Sequence, residues 1–153
     1  ALGDINHAIN AKKIDDDFMV IAGDNLFEFS LQKIINLFEG KKSNIIALCD
    51  VKDLKLAKHY GVVEIENDIV AGFEEKPSNP KSTLISTGIY LFPKKTILLI
   101  KQYIDEGNNP DKTGSFIEWL HKREIVYVYI TDKAWYDIGN FEQLEVANKH
   151  YED

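Results

Sequence analysis

The stretch Phe18-Met19-Val20-Ile21-Ala22-Gly23-Asp24-Asn25 decides how this chain is read. Residues 18–22 are a continuous apolar run, the pattern of a strand buried on both faces of a parallel sheet. The run then meets a glycine and a carboxylate. In open α/β sheets, ligands bind outside the carboxyl ends of the strands. Gly23 lets the backbone turn close to a ligand. Asp24 brings two hard oxygens to the rim, which suits Mg²⁺, a cation that takes few protein ligands and keeps substrate phosphates as the others. The same aspartate also suits a turn cap bonded to local amides, and the stretch alone leaves both readings open.

Outward from this strand, the pattern alternates between helix and strand. Residues 4–13 have helical spacing, with Asp4 a candidate cap and Ile5, Ala8 and Ile9 on one face. Leu31, Ile34, Ile35 and Phe38 recur at helical spacing, and Gly40 is the expected stop. Residues 44–51 (NIIALCDV) are the next strand, which completes a βαβ unit. Residues 61–65 and 69–73 are strands joined through the polar turn Glu66-Asn67-Asp68. Residues 86–92 (STGIYLF) are another strand, and Pro93 is placed to open a helix that carries Ile97, Leu98, Ile100 and Ile104 inward. Residues 108–114 are expected to be a mobile loop, and Ser115 with Glu118 has capping-box spacing. Residues 125–130 are a strand of β-branched and aromatic side chains. WYDIGN (135–140) is expected to be a loop, with Asn140 and Gln143 capping a last helix. No repeat, low-complexity tract or linker interrupts the pattern, so residues 1–153 are expected to form a single α/β domain.

Bulk properties narrow the function. At 153 residues, a domain buries roughly 68–70% of its unfolded surface, enough for a real core. A formal net charge of −7 argues against non-specific nucleic-acid binding, which needs neutralised phosphates. A small phosphorylated substrate needs only one or two local cations or a metal. The single cysteine, Cys49, permits no intrachain disulfide, and its place at the end of an apolar strand suits a buried hydrophobe better than a nucleophile. The four histidines lack zinc spacing. There is no apolar run of about 18 residues and no signal-peptide pattern, so no membrane span and a cytoplasmic location are expected.

Two further clusters carry chemistry. In TDKAWYDIGN, Asp137 follows soon after the strand at 125–130, so two carboxylates at two strand ends could share one metal. Trp135 beside it also suits a core aromatic under the last helix. In FEEKPSNP, Glu74, Glu75 and Lys76 stand at a strand end before a proline. A carboxylate suits vicinal sugar hydroxyls and a lysine suits a phosphate, while a solvated charged turn would look the same.

The ordered series Leu2-Gly3, GDN (23–25), YGVVE (60–64), EEKP (74–77), STGIY (86–90) and WYDIG (135–139) resembles the sugar-phosphate nucleotidyltransferase family, especially its glucose-1-phosphate thymidylyltransferase and uridylyltransferase group. The resemblance spans nearly the whole chain. It implies a three-layer α/β/α Rossmann-like fold that joins a nucleoside triphosphate to a sugar-1-phosphate and releases pyrophosphate. It implies Mg²⁺ held by Asp24 and Asp137, with Lys76 on the sugar phosphate and Glu75 on sugar hydroxyls. Tyr60 and Gly61 would contact the sugar from the YGVVE turn, Gly61 through its backbone N–H. Thr87, Gly88, Tyr90 and Trp135 would line the sugar pocket, and Gly3 would contact the base. The family also carries an N-terminal glycine-rich loop of the form GxGTRLxPxT, which this sequence lacks. The chain is therefore expected to be the C-terminal portion of such a domain, incomplete at the N-terminus and poorly active alone. Its strand at 18–22 is expected to be an exposed edge covered by a second copy or by the missing segment. A non-catalytic sugar-nucleotide binding module of the same fold is the alternative, and a glycosyltransferase with a DxD pair is a further one that GDN does not match.

Overall fold

A computed structural model describes residues 1–139 and 141–151. The elements, in order, are α1 (Leu2–Lys12), β1 (Phe18–Ile21), β2 (Asn25–Phe27), α2 (Leu31–Lys41), β3 (Asn44–Asp50), α3 (Leu54–Ala57), β4 (Gly61–Glu66), β5 (Ile69–Glu75), β6 (Leu84–Phe92), α4 (Thr96–Asp105), α5 (Thr113–Leu120), β7 (Val126–Thr131), β8 (Trp135–Asp137) and α6 (Phe141–Tyr151). Six strands make one mixed sheet in the order β1-β6-β3-β7-β5-β4, and β4 also reaches β6, so five of them close into a ring. Strands β2 and β8 form a separate two-stranded ribbon.

The layers follow from the period-two alternation of the central strands. On β3, Ile45 and Ala47 face Ile34 and Phe38 of α2. Ile46 and Leu48 face the opposite layer, which includes Leu2 and Ile9 of α1, Ile100 and Tyr103 of α4, and Phe116 and Leu120 of α5. Helices on both faces give the α/β/α layers that the resemblance implies. Ile45, Ile46, Leu48 and Ile100 are fully buried, and each such side chain stabilises the fold by about 1.5–3 kcal/mol relative to exposure. The buried polar groups are matched as well: Thr96 Oγ1 donates to Asn44 Oδ1 at 2.7 Å. Among the described residues no buried side-chain nitrogen or oxygen lacks a partner.

Several local expectations are corrected. Strand β1 lies at the sheet edge, as expected, but it is antiparallel to β6 rather than a doubly buried parallel strand, and its side chains are half-buried or exposed. The βαβ unit survives in a modified form, since β1 and β3 both run antiparallel to β6 and flank it. Helix α1 starts at Leu2, which puts Asp4 inside its first turn. Helix α2 runs past Gly40 to Lys41, and its C-cap Lys42 has φ of 49°, in the left-handed region. Residues 93–95 make a turn before α4 rather than its first turn, with Thr96 N–H donating to Pro93 O at 2.8 Å. On α4, Leu98 points to solvent at 72% exposure, and Thr96 and Tyr103 are buried instead. Helix α5 begins at Thr113, ahead of the expected capping box at Ser115. Residues 135–137 are strand β8 rather than loop. The cap assigned to Asn140 lies outside the described residues. The hairpin turn agrees with expectation: Asn67 and Asp68 take φ of 52° and 63°, the pair of left-handed residues that a tight hairpin requires. No helix among the described residues is long and apolar enough to cross a membrane.

Candidate active site

Strand β6 creates the site because two strands share one of its edges. Strand β3 pairs along one edge over residues 84–91. On the other edge, residues 89–92 pair with β1, whereas Ile85 pairs with Val62 of β4. Ser86, Thr87 and Gly88 lie between the two ladders, and there the edge strands part. Gly88 has φ of +78°, and a Cβ on it would sit 2.9 Å from Ala22 Cβ. Glycine is thus required both for the conformation and for the approach of β1, whose continuation bonds through Ala22 N–H to Gly88 O at 3.1 Å.

The gap opens a cleft of about 210 Å³ whose walls include Tyr60, Gly61, Glu75, Lys76, Tyr90 and Asp137. It continues past Gly88 and Tyr90 into a hollow of about 360 Å³, bordered by Val20, Ala22, Gly23 and the start of α1. Every chemical cluster singled out in the sequence except Leu2-Gly3 sends at least one residue to this gap.

The two aspartates meet through the small ribbon. Strands β2 and β8 pair antiparallel with Asn25 opposite Asp137. Ile138 N–H donates to Asp24 O at 2.7 Å, and Asn25 Nδ2 donates to the Asp24 carboxylate at 3.0 Å. Burial, then the charge of Asp24, pushes the Asp137 carboxyl above the usual range, while the Lys76 ammonium pulls it back. The charges of Asp24 and Lys76 thus both act on Asp137. Two hard carboxylates held in mutual repulsion suit a divalent cation, which would relieve that repulsion. No group of three or more metal-ligating side chains occurs among the described residues, so such an ion would rest on Asp24, Asp137 and substrate oxygens.

Glu75 is set by packing rather than by pairing. A Cβ on Gly61 would meet Phe73 Cζ at 2.5 Å and Glu75 Oε2 at 3.2 Å. A Cβ on Gly114, in the first turn of α5, would overlap Glu75 Oε2 outright and lie 2.9 Å from its Cδ. The carboxylate thus lies in a slot between two glycines. Next to it, Lys76 adopts φ of 50°, which a non-glycine residue rarely does. Its N–H donates to Tyr60 O at 3.0 Å, tying the EEKP turn to the YGVVE turn. Tyr90 OH and Ser86 Oγ bond at 2.9 Å, and burial pushes the Tyr90 phenol up to about 12, so it stays a neutral hydroxyl.

Three residues carried over from the resemblance are differently placed. Thr87 is turned away from the cleft: its side chain is buried and its hydroxyl donates to Ala47 O at 2.9 Å, beside the irregular register of β3. Trp135 stands behind the carboxylates, with Nε1 donating to Asn25 Oδ1 at 2.6 Å and its ring edge-on to Tyr60. It borders a larger apolar cavity of about 560 Å³ with Val51, Leu56 and Val146. Gly3 donates its N–H to Pro110 O at 2.9 Å, while Asp4 and Ile5 border the second hollow. Ser86 belongs to the STGIY stretch but has no role in the resemblance, and Gly114 lies outside every motif, yet both line the cleft. Period-two alternation would have found Ser86, since it shares a face with Tyr90. Gly114 gave no signal beyond being a glycine. Cys49 is half-buried and burial raises its thiol pKa, in keeping with an inert side chain.

Comparisons with known proteins bear on the family and the fold. The archaeal bifunctional protein GlmU of Methanocaldococcus jannaschii is 38% identical over 143 residues, covering 92% of this chain and 33% of that protein. A candidate glucose-1-phosphate thymidylyltransferase from Bacillus anthracis, solved with sucrose, superposes with a TM-score of 0.84 at 26% identity, over 100% of this chain and 61% of that one. UDP-glucose pyrophosphorylase from Acinetobacter baumannii has a TM-score of 0.79 at 23% identity over 99% of this chain and 56% of its own, a likeness of fold alone. The chain thus spans less than two thirds of each of these relatives. The family model described as nucleotidyl transferase matches residues 4–153, and the chain belongs to that family.

Proposed function

We propose that this domain serves transfer of a nucleotidyl group from a nucleoside triphosphate to a sugar-1-phosphate, with glucose-1-phosphate the best-fitting acceptor. The observation that supports this reading is convergence: Asp137, Lys76 and the slotted Glu75 line one gap in the edge of β6, and the exposed Asp24 is near enough for its charge to act on Asp137. Glu75 accepts hydrogen bonds from vicinal sugar hydroxyls, and the Gly61 backbone supports the same ring. Lys76 neutralises the sugar phosphate and holds its oxygen in line with the α-phosphorus. That oxygen is already anionic, so no general base is needed, and positioning with charge neutralisation supplies the catalysis. Asp24 and Asp137 would hold Mg²⁺, which when bound would supply charge neutralisation and orientation of the phosphate oxygens. Tyr90, neutral at physiological pH, donates from the cleft wall.

Titration of the protein with UDP-glucose and dTDP-glucose, with and without Mg²⁺, tests the reading by two-dimensional amide NMR. Shifts should cluster at Gly61, Lys76, Gly88 and Asp137, and those at Asp137 should depend on Mg²⁺. An unchanged spectrum at millimolar ligand would overturn it.

A further inference from the structure

We propose that Gly114, on a helix remote in sequence from every matching motif, is a positioning residue that sets the direction of the Glu75 carboxylate. The inference rests on the reading of Glu75 as the sugar-binding carboxylate. Glu75 ends β5, and among the described residues no hydrogen bond or ion pair holds its carboxylate. Its Oε2 instead lies against Gly61 on one side and Gly114 on the other. Gly114 is buried and lies in the first turn of α5, which packs directly on β5. Gly114 takes no left-handed φ, whereas Gly88 and Gly107 do, so conformation does not demand a glycine there. The demand is steric and comes from one side-chain end.

The kind of overlap matters. A methyl at position 114 would collide with Glu75 Oε2 and crowd Cδ at 2.9 Å, with Phe73 Cε1 next at 3.2 Å. The closest neighbour is the tip of a side chain with three rotatable bonds, and a tip moves at little cost. The fold yields less than the carboxylate does. Gly114→Ala is therefore expected to turn Glu75 out of its slot and loosen the sugar site, leaving intact the aspartate pair, which the β2–β8 ribbon holds by its backbone.

A double-mutant cycle tests this. UDP-glucose affinity with Mg²⁺ and melting temperature are measured for the protein, Gly114→Ala, Glu75→Ala and the double variant. Gly114→Ala alone should weaken binding about tenfold, as loss of a charge-assisted hydrogen bond does. In the Glu75→Ala background it should change affinity by less than about twofold, since contacting residues are not additive. The affinity for free UDP, which lacks the sugar, should be unmoved by Gly114→Ala. Equal losses in both backgrounds, or a loss for UDP as well, would overturn the inference, because the glycine would then serve general packing. Unchanged UDP-glucose affinity in Gly114→Ala would overturn it too. If Glu75→Ala itself leaves UDP-glucose affinity unchanged, the reading of the sugar site fails instead. Should Gly114→Ala not fold, the Gly114 amide resonance decides: it should shift on UDP-glucose binding in the unaltered protein and stay still in Glu75→Ala.

Discussion

The two sides of the candidate site hold their carboxylates by opposite means. Asp24 and Asp137 are brought together by backbone: a ribbon of two three-residue strands pairs Asn25 with Asp137 and leaves their charges facing. Glu75 is fixed by volume, between two glycines and the edge of Phe73. The first half stores repulsion that a bound cation would relieve. The second is held by close contact and has no room for an added atom. A change of charge should therefore act on the first half, and a change of size on the second.

The largest expected effect is on the aspartate pair. Asp24→Asn or Asp137→Asn should lower the rate of pyrophosphate release by about 10²–10³-fold, the usual loss when a preorganised electrostatic partner is removed. Stability should move the other way. The folded-state pKa of Asp137 lies above its unfolded value, so its contribution to stability is greatest in acid and is lost as pH rises through the folded pKa. At pH 7 without metal, Asp137→Asn should therefore melt higher than the unaltered protein, and the gain should vanish at acid pH. A lower melting temperature at pH 7 would break the electrostatic half of the comparison.

In the steric half, Gly61→Ala drives a methyl into Phe73 Cζ. Overpacking of this kind should cost about 1–3 kcal/mol in urea unfolding, with a raised KM for sugar phosphate and little change in metal affinity. Normal stability would show that the slot is looser than the packing implies. The smallest expected effect sharpens the boundary of the site. Thr87→Val removes the hydrogen bond to Ala47 O, which should cost about 1 kcal/mol of stability, while KM for sugar phosphate stays within about twofold. A large KM change would return Thr87 to the pocket.

Much of the fold is legible in the sequence because it rests on local periodicity. The helical stripe of Ile34 and Phe38, the alternation along β3 and the Asn67-Asp68 turn each depend on neighbours a few residues away. The errors fall where a distant segment intervenes. Strand β8 is three residues long, too short for any period, and exists only because β2 lies beside it. The direction of β1 is antiparallel because its partner is β6, 70 residues on, rather than β3.

The sequence by itself determined which residue types could serve a sugar phosphate: Asp24, Glu75, Lys76 and Asp137 stand at strand ends, and chemistry at a strand end is set by residue type. Only the tertiary structure decided which of them meet, and which of their neighbours do not. Thr87 adjoins Gly88 in the chain yet faces the opposite side of the sheet, since a strand alternates its side chains. Gly114 lies 39 residues beyond Glu75 and still touches it, because α5 packs on β5. Proximity of that kind comes from burying two apolar surfaces together, and no short window of sequence contains it.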